Sequence, residues 1–119
     1  MTADEAQANP DLMTGIIFVF GEPARVLFDS GANRSFISTF FALHANRELT
    51  PFKHNLVVTT PLGERIPKTS VFKGCDVVIK CIVLKANLIP LEMTDFEVIM
   101  GTDWLSNHRA SMNCFSKKI

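Results

Sequence analysis

The apolar residues of this chain arrive in short bursts, closed by glycine, proline or polar residues. The longest uninterrupted burst is Ile16-Ile17-Phe18-Val19-Phe20. A run of five is strand-sized and far from the roughly 20 apolar residues that a bilayer helix needs. Valine, isoleucine and phenylalanine dominate these runs, and such side chains fit a pleated, half-buried surface. The chain has 119 residues, room for one domain and one core. Short strands in a single small domain are therefore the frame for everything else.

Residues 1–12 are acidic and polar and contain Pro10, so they read as a flexible lead, with the domain spanning 13–119. Thr14 to Phe20 is a first strand, Gly21-Glu22-Pro23 a turn and Ala24 to Phe28 a second strand, together a β-hairpin. Asp29-Ser30-Gly31-Ala32-Asn33 breaks the pattern. Phe36, Ile37, Phe40, Phe41 and Leu43 then have helical spacing, which predicts a short helix capped near Asn33, Arg34 or Ser35 and ended by Asn46. Leu56 to Thr60 reads as a strand and Pro61-Leu62-Gly63-Glu64 as a turn. Arg65 to Phe72 returns as the second arm, and Pro67 restricts that arm to an edge or an irregular strand.

From Cys75 to Leu84 the residues alternate. Cys75, Val77, Ile79, Cys81 and Val83 form a uniformly apolar face, which predicts one strand with both thiols buried in the core. Phe96 to Met100 is another strand, ended by Gly101. Thr102 is placed to cap a short helix through Trp104, Leu105 and His108, with Asp103 favourable in its first turn. Residues 110–115 read as a last strand. The total is seven or eight short strands and two short helices, a mainly β fold.

Composition removes several function classes. Twelve Lys and Arg balance twelve Asp and Glu. A zero balance without a basic cluster argues against nucleic-acid binding, which rests on phosphate neutralisation. No run spans a membrane, and the acidic start is not a signal peptide. Three cysteines, Cys75, Cys81 and Cys114, cannot all pair within one chain, and none stands in a CxxC; they read as reduced thiols in an intracellular, cytoplasmic setting. His44, His54 and His108 form no HxxxH or HExxH pair, so no metal is expected. Neither glycine-rich phosphate-binding pattern occurs, and no cofactor is expected.

The chemistry-bearing segment is Val26-Leu27-Phe28-Asp29-Ser30-Gly31-Ala32. Three apolar strand residues present a carboxylate at a strand end. A small hydroxyl follows it, then a glycine that permits close backbone approach. Such an arrangement holds an aspartate rigidly at the floor of a cleft. Taken alone, Asp-Ser-Gly is also the composition of an ordinary turn after a strand. A second segment, Val98-Ile99-Met100-Gly101-Thr102-Asp103-Trp104-Leu105, is a hydrophobic strand, a glycine and a short helix.

Together these two segments resemble the aspartic proteases of the retropepsin family, in particular the protease domain of gypsy-type LTR retrotransposons of plants. The resemblance runs from Gly21 through Ala32 and Ser35-Phe36-Ile37-Ser38, then from Asp95 to Leu105 and Met112-Asn113-Cys114. It implies a retropepsin-like half-barrel active as a homodimer. It implies that Asp29 is catalytic, that the Ser30 hydroxyl braces the two active-site loops, that Gly31 gives a backbone contact and that Ala32 lines the floor. Ile99, Met100 and Gly101 would form the strand behind the site. Thr59, Thr60, Pro61, Leu62 and Gly63 would form a flap over the substrate. The pattern departs from the family at Thr102, where many members carry arginine, and at Pro61 and Pro67 in the flap.

Aspartic proteolysis needs two carboxylates about 3 Å apart that share one proton. No other aspartate, Asp76, Asp95 and Asp103 among them, is followed by Ser-Gly or Thr-Gly. One motif is half a site, so two copies are needed, with Asp29 of each on the two-fold axis. The resemblance implies an extended peptide as substrate, the element's own Gag-Pol polyprotein. The rival reading is a catalytically silent retropepsin-fold module for dimerisation or peptide binding. A serine hydrolase is disfavoured, since no Gly-x-Ser-x-Gly is present.

Overall fold

A computed structural model describes residues 12–44, 47–59 and 63–108. Its strands are β1 (Leu12–Val19), β2 (Glu22–Asp29), β3 (Phe36–Ser38), β4 (Thr50–Thr59), β5 (Arg65–Ile79), β6 (Ile82–Leu91) and β7 (Val98–Met100). A single 3-10 turn covers Phe41–His44, and one helix, α1, covers Thr102–Asn107. The expected flexible lead and the expected strand over 110–115 lie outside the described residues.

The sheet runs β1-β2-β7-β3-β6-β5-β4, and β1 also pairs with β5 through Phe18–Val78 and Val19–Val77. Six strands therefore close into a ring, and β4 is appended to the far arm of β5. Closure leaves fewer unpaired strand edges than an open sheet would. β5 makes this possible by changing partners. Its first arm pairs with β4 as far as Val71, and its second pairs with β6 from Phe72 onward. The register shifts between Phe72 and Cys75, where Gly74 adopts φ +63° and donates its amide to Asn87 Oδ1. Pro67 sits opposite Val57 in the first arm. Among the described residues that arm pairs with β4 alone, the edge position that Pro67 predicts.

One turn is tighter than expected, and another stands where a continuous strand was expected. The β1–β2 turn is Phe20-Gly21, both with positive φ, and Glu22 and Pro23 already belong to β2. A two-residue turn with both residues at positive φ matches the strand twist. The expected single strand from Cys75 to Leu84 is two strands joined at Lys80 and Cys81, which have φ of 45° and 72°. Cys75, Val77 and Ile79 are buried as the alternation predicts. Cys81 is exposed at the turn and Val83 is 59% exposed, because the turn resets the alternation.

The predicted helix after Asn33 is not formed. Phe36, Ile37 and Ser38 are β3, paired with β6 on one side and β7 on the other, and all three are buried. Burial on both faces removes the amphipathic advantage of a helix and favours a central strand. The helical content is reduced to the 3-10 turn that follows.

The core has two halves, one on each side of β2. Val26 and Phe28 join Ile17, Val77, Met100 and Trp104. Leu27 joins Ala32, Phe36, Val58, Ile89, Phe96 and Ile99. Alternation along β2 therefore directs Leu27 and Asp29 to the same side.

Candidate active site

β2 and β7 run parallel with Phe28 beside Met100. The next residue of each strand is Asp29 and Gly101, so the two motifs singled out in the sequence end at the same level of the sheet. Asp29 closes β2 and is 4% exposed. The chain then turns back sharply: the Ala32 amide donates to the Asp29 carbonyl at 3.2 Å, and the Gly31 amide donates to Asp29 Oδ1 at 2.8 Å. A backbone N–H on a carboxylate oxygen fixes the side chain. Ser30 and Gly31 are exposed at the tip of the turn, and Ala32 is buried beneath it.

Gly101 fits where no side chain would. A Cβ there would lie 2.3 Å from the Arg34 carbonyl oxygen and 2.6 Å from that of Ala32. The neighbouring Thr102 amide donates to the Ala32 carbonyl at 2.7 Å. This close approach presses β7 and the start of α1 against the back of the Asp29 turn. Ile99 and Met100 lie on opposite sides, Ile99 toward Leu27 and Met100 toward Phe28.

Two polar residues that no local sequence pattern marks as parts of the site, Ser35 and Asp103, hold this junction. Ser35 is fully buried; its hydroxyl accepts from the Gly101 amide at 3.1 Å and donates to Asp103 Oδ1 at 2.8 Å. Asp103 also accepts from the Trp104 amide at 2.7 Å. The expected cap by Thr102 does not occur. Gly101 is the N-cap, without a side-chain cap bond, and Asp103 supplies the first-turn carboxylate. Just before β7, at the end away from Gly101, the Glu97 carboxylate accepts from the Arg25 backbone amide at 2.7 Å and from its guanidinium at 2.6 Å. Burial alone would raise the Glu97 carboxyl, but the Arg25 hydrogen bonds and charge outweigh it and hold the group below the usual carboxylate range.

The flap expectation is placed in part. Thr59 pairs with Arg65 at the far end of the β4–β5 ribbon, and Gly63 adopts φ +86°. Thr60, Pro61 and Leu62 lie outside the described residues. The ribbon is anchored over the Asp29 side of the core by Val58, which is fully buried with Leu27 and Ala32.

Among the described residues, no three His, Cys, Asp or Glu side chains converge as a metal site, and no helix is long and apolar enough to cross a membrane. Burial pushes the Cys75 thiol up to about 11, which makes it a core residue and not a nucleophile.

All 119 residues match the retroviral aspartyl protease family. A comparison with curated proteins gave no match. Among solved structures, the chain is similar to the EIAV protease in complex with the inhibitor HBY-793, at 17% identity and a TM-score of 0.60, over 82% of this chain and 88% of that one. It is also similar to the retroviral protease-like domain of Ddi1 from Leishmania major, at 12% identity and a TM-score of 0.60, over 85% and 80%. At such identities the likeness is one of fold.

Proposed function

The chain belongs to the retroviral aspartyl protease family, and from that premise we propose that it is an aspartic endopeptidase which acts as a homodimer on a retrotransposon polyprotein of the gypsy type. The observation that carries this reading is Asp29 itself. It is an almost fully buried carboxylate at a strand end, oriented by the Gly31 amide and backed by the Gly101 junction. Ser30 and Gly31, exposed beside it, form the surface that meets the same turn of a second copy.

The chemistry then follows from charge repulsion. Two Asp29 carboxylates brought together cannot both ionise, so the pair holds one proton. The ionised carboxylate draws a proton from a water as the water attacks the scissile carbonyl. The protonated one donates to the carbonyl oxygen and stabilises the developing charge. The two pKa values belong to the dyad and not to either chain. The activity profile is therefore bell-shaped with a mildly acidic optimum. The substrate lies as an extended strand between the Asp29 floor and the β4–β5 ribbon. The apolar residues on the Asp29 side, Leu27, Ala32 and Ile99, suit apolar side chains near the cut.

The test is cleavage of polyprotein-derived peptides by the chain and by Asp29→Asn. Turnover by the first alone supports the reading. Equal turnover by both, or a single sigmoid extending to alkaline pH, overturns the aspartic mechanism. A dimer without turnover favours a peptide-binding module.

A further inference from the structure

The segment 92–97 links β6 to β7 and borders the Asp29 side of the core. Phe96 is 5% exposed and packs with Leu27, Ala32 and Ile99, and Met93 packs against the same group. Leu27 lies two residues before Asp29 on the same side of β2. The segment is therefore a wall of the face that carries the carboxylate.

Its outer side is poorly filled. An open hollow of about 350 Å³ is lined by Met93, Thr94 and Glu97 together with Ser38, Phe40 and Phe41, and the Ser38 hydroxyl bridges it to the Met93 carbonyl at 3.4 Å. The wall is held by the inward packing of Phe96 and Met93 and, on its outer side, by polar ties. Most of them meet at two residues. The Arg25 guanidinium donates to both Glu97 carboxylate oxygens and, through Nη2, to the Thr94 carbonyl at 3.1 Å. The Glu97 amide donates to the Arg25 carbonyl at 2.9 Å, and the Glu97 carbonyl accepts from the Ser38 amide at 2.8 Å. One glutamate thus joins β2, β3 and the wall, 72 positions from its arginine. The forked, charge-assisted geometry gives direction as well as attraction.

We propose that the Arg25–Glu97 pair is a positioning device: it fixes segment 92–97 against the Asp29 side of the core and so sets how tightly an extended peptide is bound, without touching the peptide. The proposal rests on the peptidase reading for what the wall faces. Arg25 and Glu97 are positioning residues, because they act through Met93 and Phe96.

The test uses the full chain, an apolar-centred peptide substrate and the same peptide with a reduced, uncleavable bond. Four forms are compared with wild type: Glu97→Gln, Arg25→Glu, Glu97→Arg and the double reversal Arg25→Glu with Glu97→Arg. In Glu97→Gln, the amides of 92–97 should exchange with deuterium about tenfold faster while those of the β1–β2 hairpin are unchanged. KM and the Kd of the reduced peptide should rise about tenfold with kcat within about twofold. The double reversal should bind more tightly than either single reversal, a coupling that two independent surface residues would not give. Unchanged exchange in 92–97, faster exchange with unchanged Kd, a loss in kcat alone, or no gain in the double reversal overturns the proposal. If wild type binds the reduced peptide but cleaves nothing, the peptidase reading fails while Kd and exchange still decide the clamp. Absence of binding by every form overturns both.

Discussion

Ser35 and Asp103 stand 68 positions apart in the chain and share a hydrogen bond of 2.8 Å from the serine hydroxyl to the carboxylate. The same buried oxygen accepts the Gly101 amide at 3.1 Å. One hydroxyl is thus donor and acceptor at once. It joins the loop after Asp29 to both the end of β7 and the first turn of α1. The floor of the site is fixed from behind by this bond and from the side by the parallel pairing of Phe28 with Met100.

Ser35→Ala removes that oxygen and leaves the Gly101 amide without it in a buried place. Loss of one partner from a buried pair costs about 2 kcal/mol, and more where the acceptor is a carboxylate. For a domain of this size that lowers the melting temperature by roughly 8 °C. Thermal melts of the two forms measure it. An unchanged melting temperature would show that water or a backbone shift replaces the hydroxyl.

Two glycines should separate stability from activity. At Gly101 an added methyl meets backbone oxygens at 2.3 and 2.6 Å, which cannot rotate away. Gly101→Ala should therefore destabilise by about 3 kcal/mol or more, as overpacking against a rigid neighbour does. At Gly31 the added methyl meets only Asp29 Oδ1, at 3.1 Å. A side-chain oxygen can give way, so Gly31→Ala should lose less than about 1 kcal/mol of stability. The displaced carboxylate is the one proposed to be catalytic, and on that reading peptide cleavage should fall by about tenfold or more. Urea unfolding and peptide turnover, measured on both variants, check the contrast.

The strand that ends in Asp29 was legible in the sequence because its information is local. Val26 to Ala32 carries strand, carboxylate and turn in one stretch, and Val98 to Gly101 carries its parallel neighbour. Cys75, Val77 and Ile79 were legible through alternation. The failures have one cause each. Lys80 and Cys81 form a turn with positive φ although neither is Gly or Asn, so no turn signal marks it. Residues 36–38 have helical spacing, but β6 and β7 claim both their edges. Ser35 and Glu97 act across 66 to 72 positions, and no local pattern reports such a partner.

The two described cysteines should react differently. Cys81 is exposed at the β5–β6 turn, whereas Cys75 is fully buried and its thiol is pushed up to about 11, chiefly by burial. The thiolate is the reactive form. In the folded protein at pH 8, iodoacetamide should modify Cys81 readily and Cys75 only after unfolding. Mass spectrometry of the digested protein distinguishes the sites. Equal labelling of both under native conditions would show that the β5–β6 region opens locally.

The acid side of the stability profile should carry the mark of Glu97. Burial acts to raise its carboxyl, and the hydrogen bonds and charge of Arg25 more than reverse this, so its pKa is lower in the folded chain than in the unfolded one. A depressed folded value means that the unfolded state takes up the proton first. The stabilisation is fully present above the unfolded value of about 4.3 and is lost as pH falls through the folded value. Glu97→Gln cannot titrate and lacks this contribution at every pH. The difference in melting temperature between wild type and Glu97→Gln should therefore be constant above about pH 5.5 and shrink steadily below about pH 4. Added salt should reduce the plateau, because the Arg25 side chain is 54% exposed. Melts from pH 3 to 7 at two salt concentrations test both statements. A difference that grows on acidification would mean that burial, and not Arg25, governs the carboxylate.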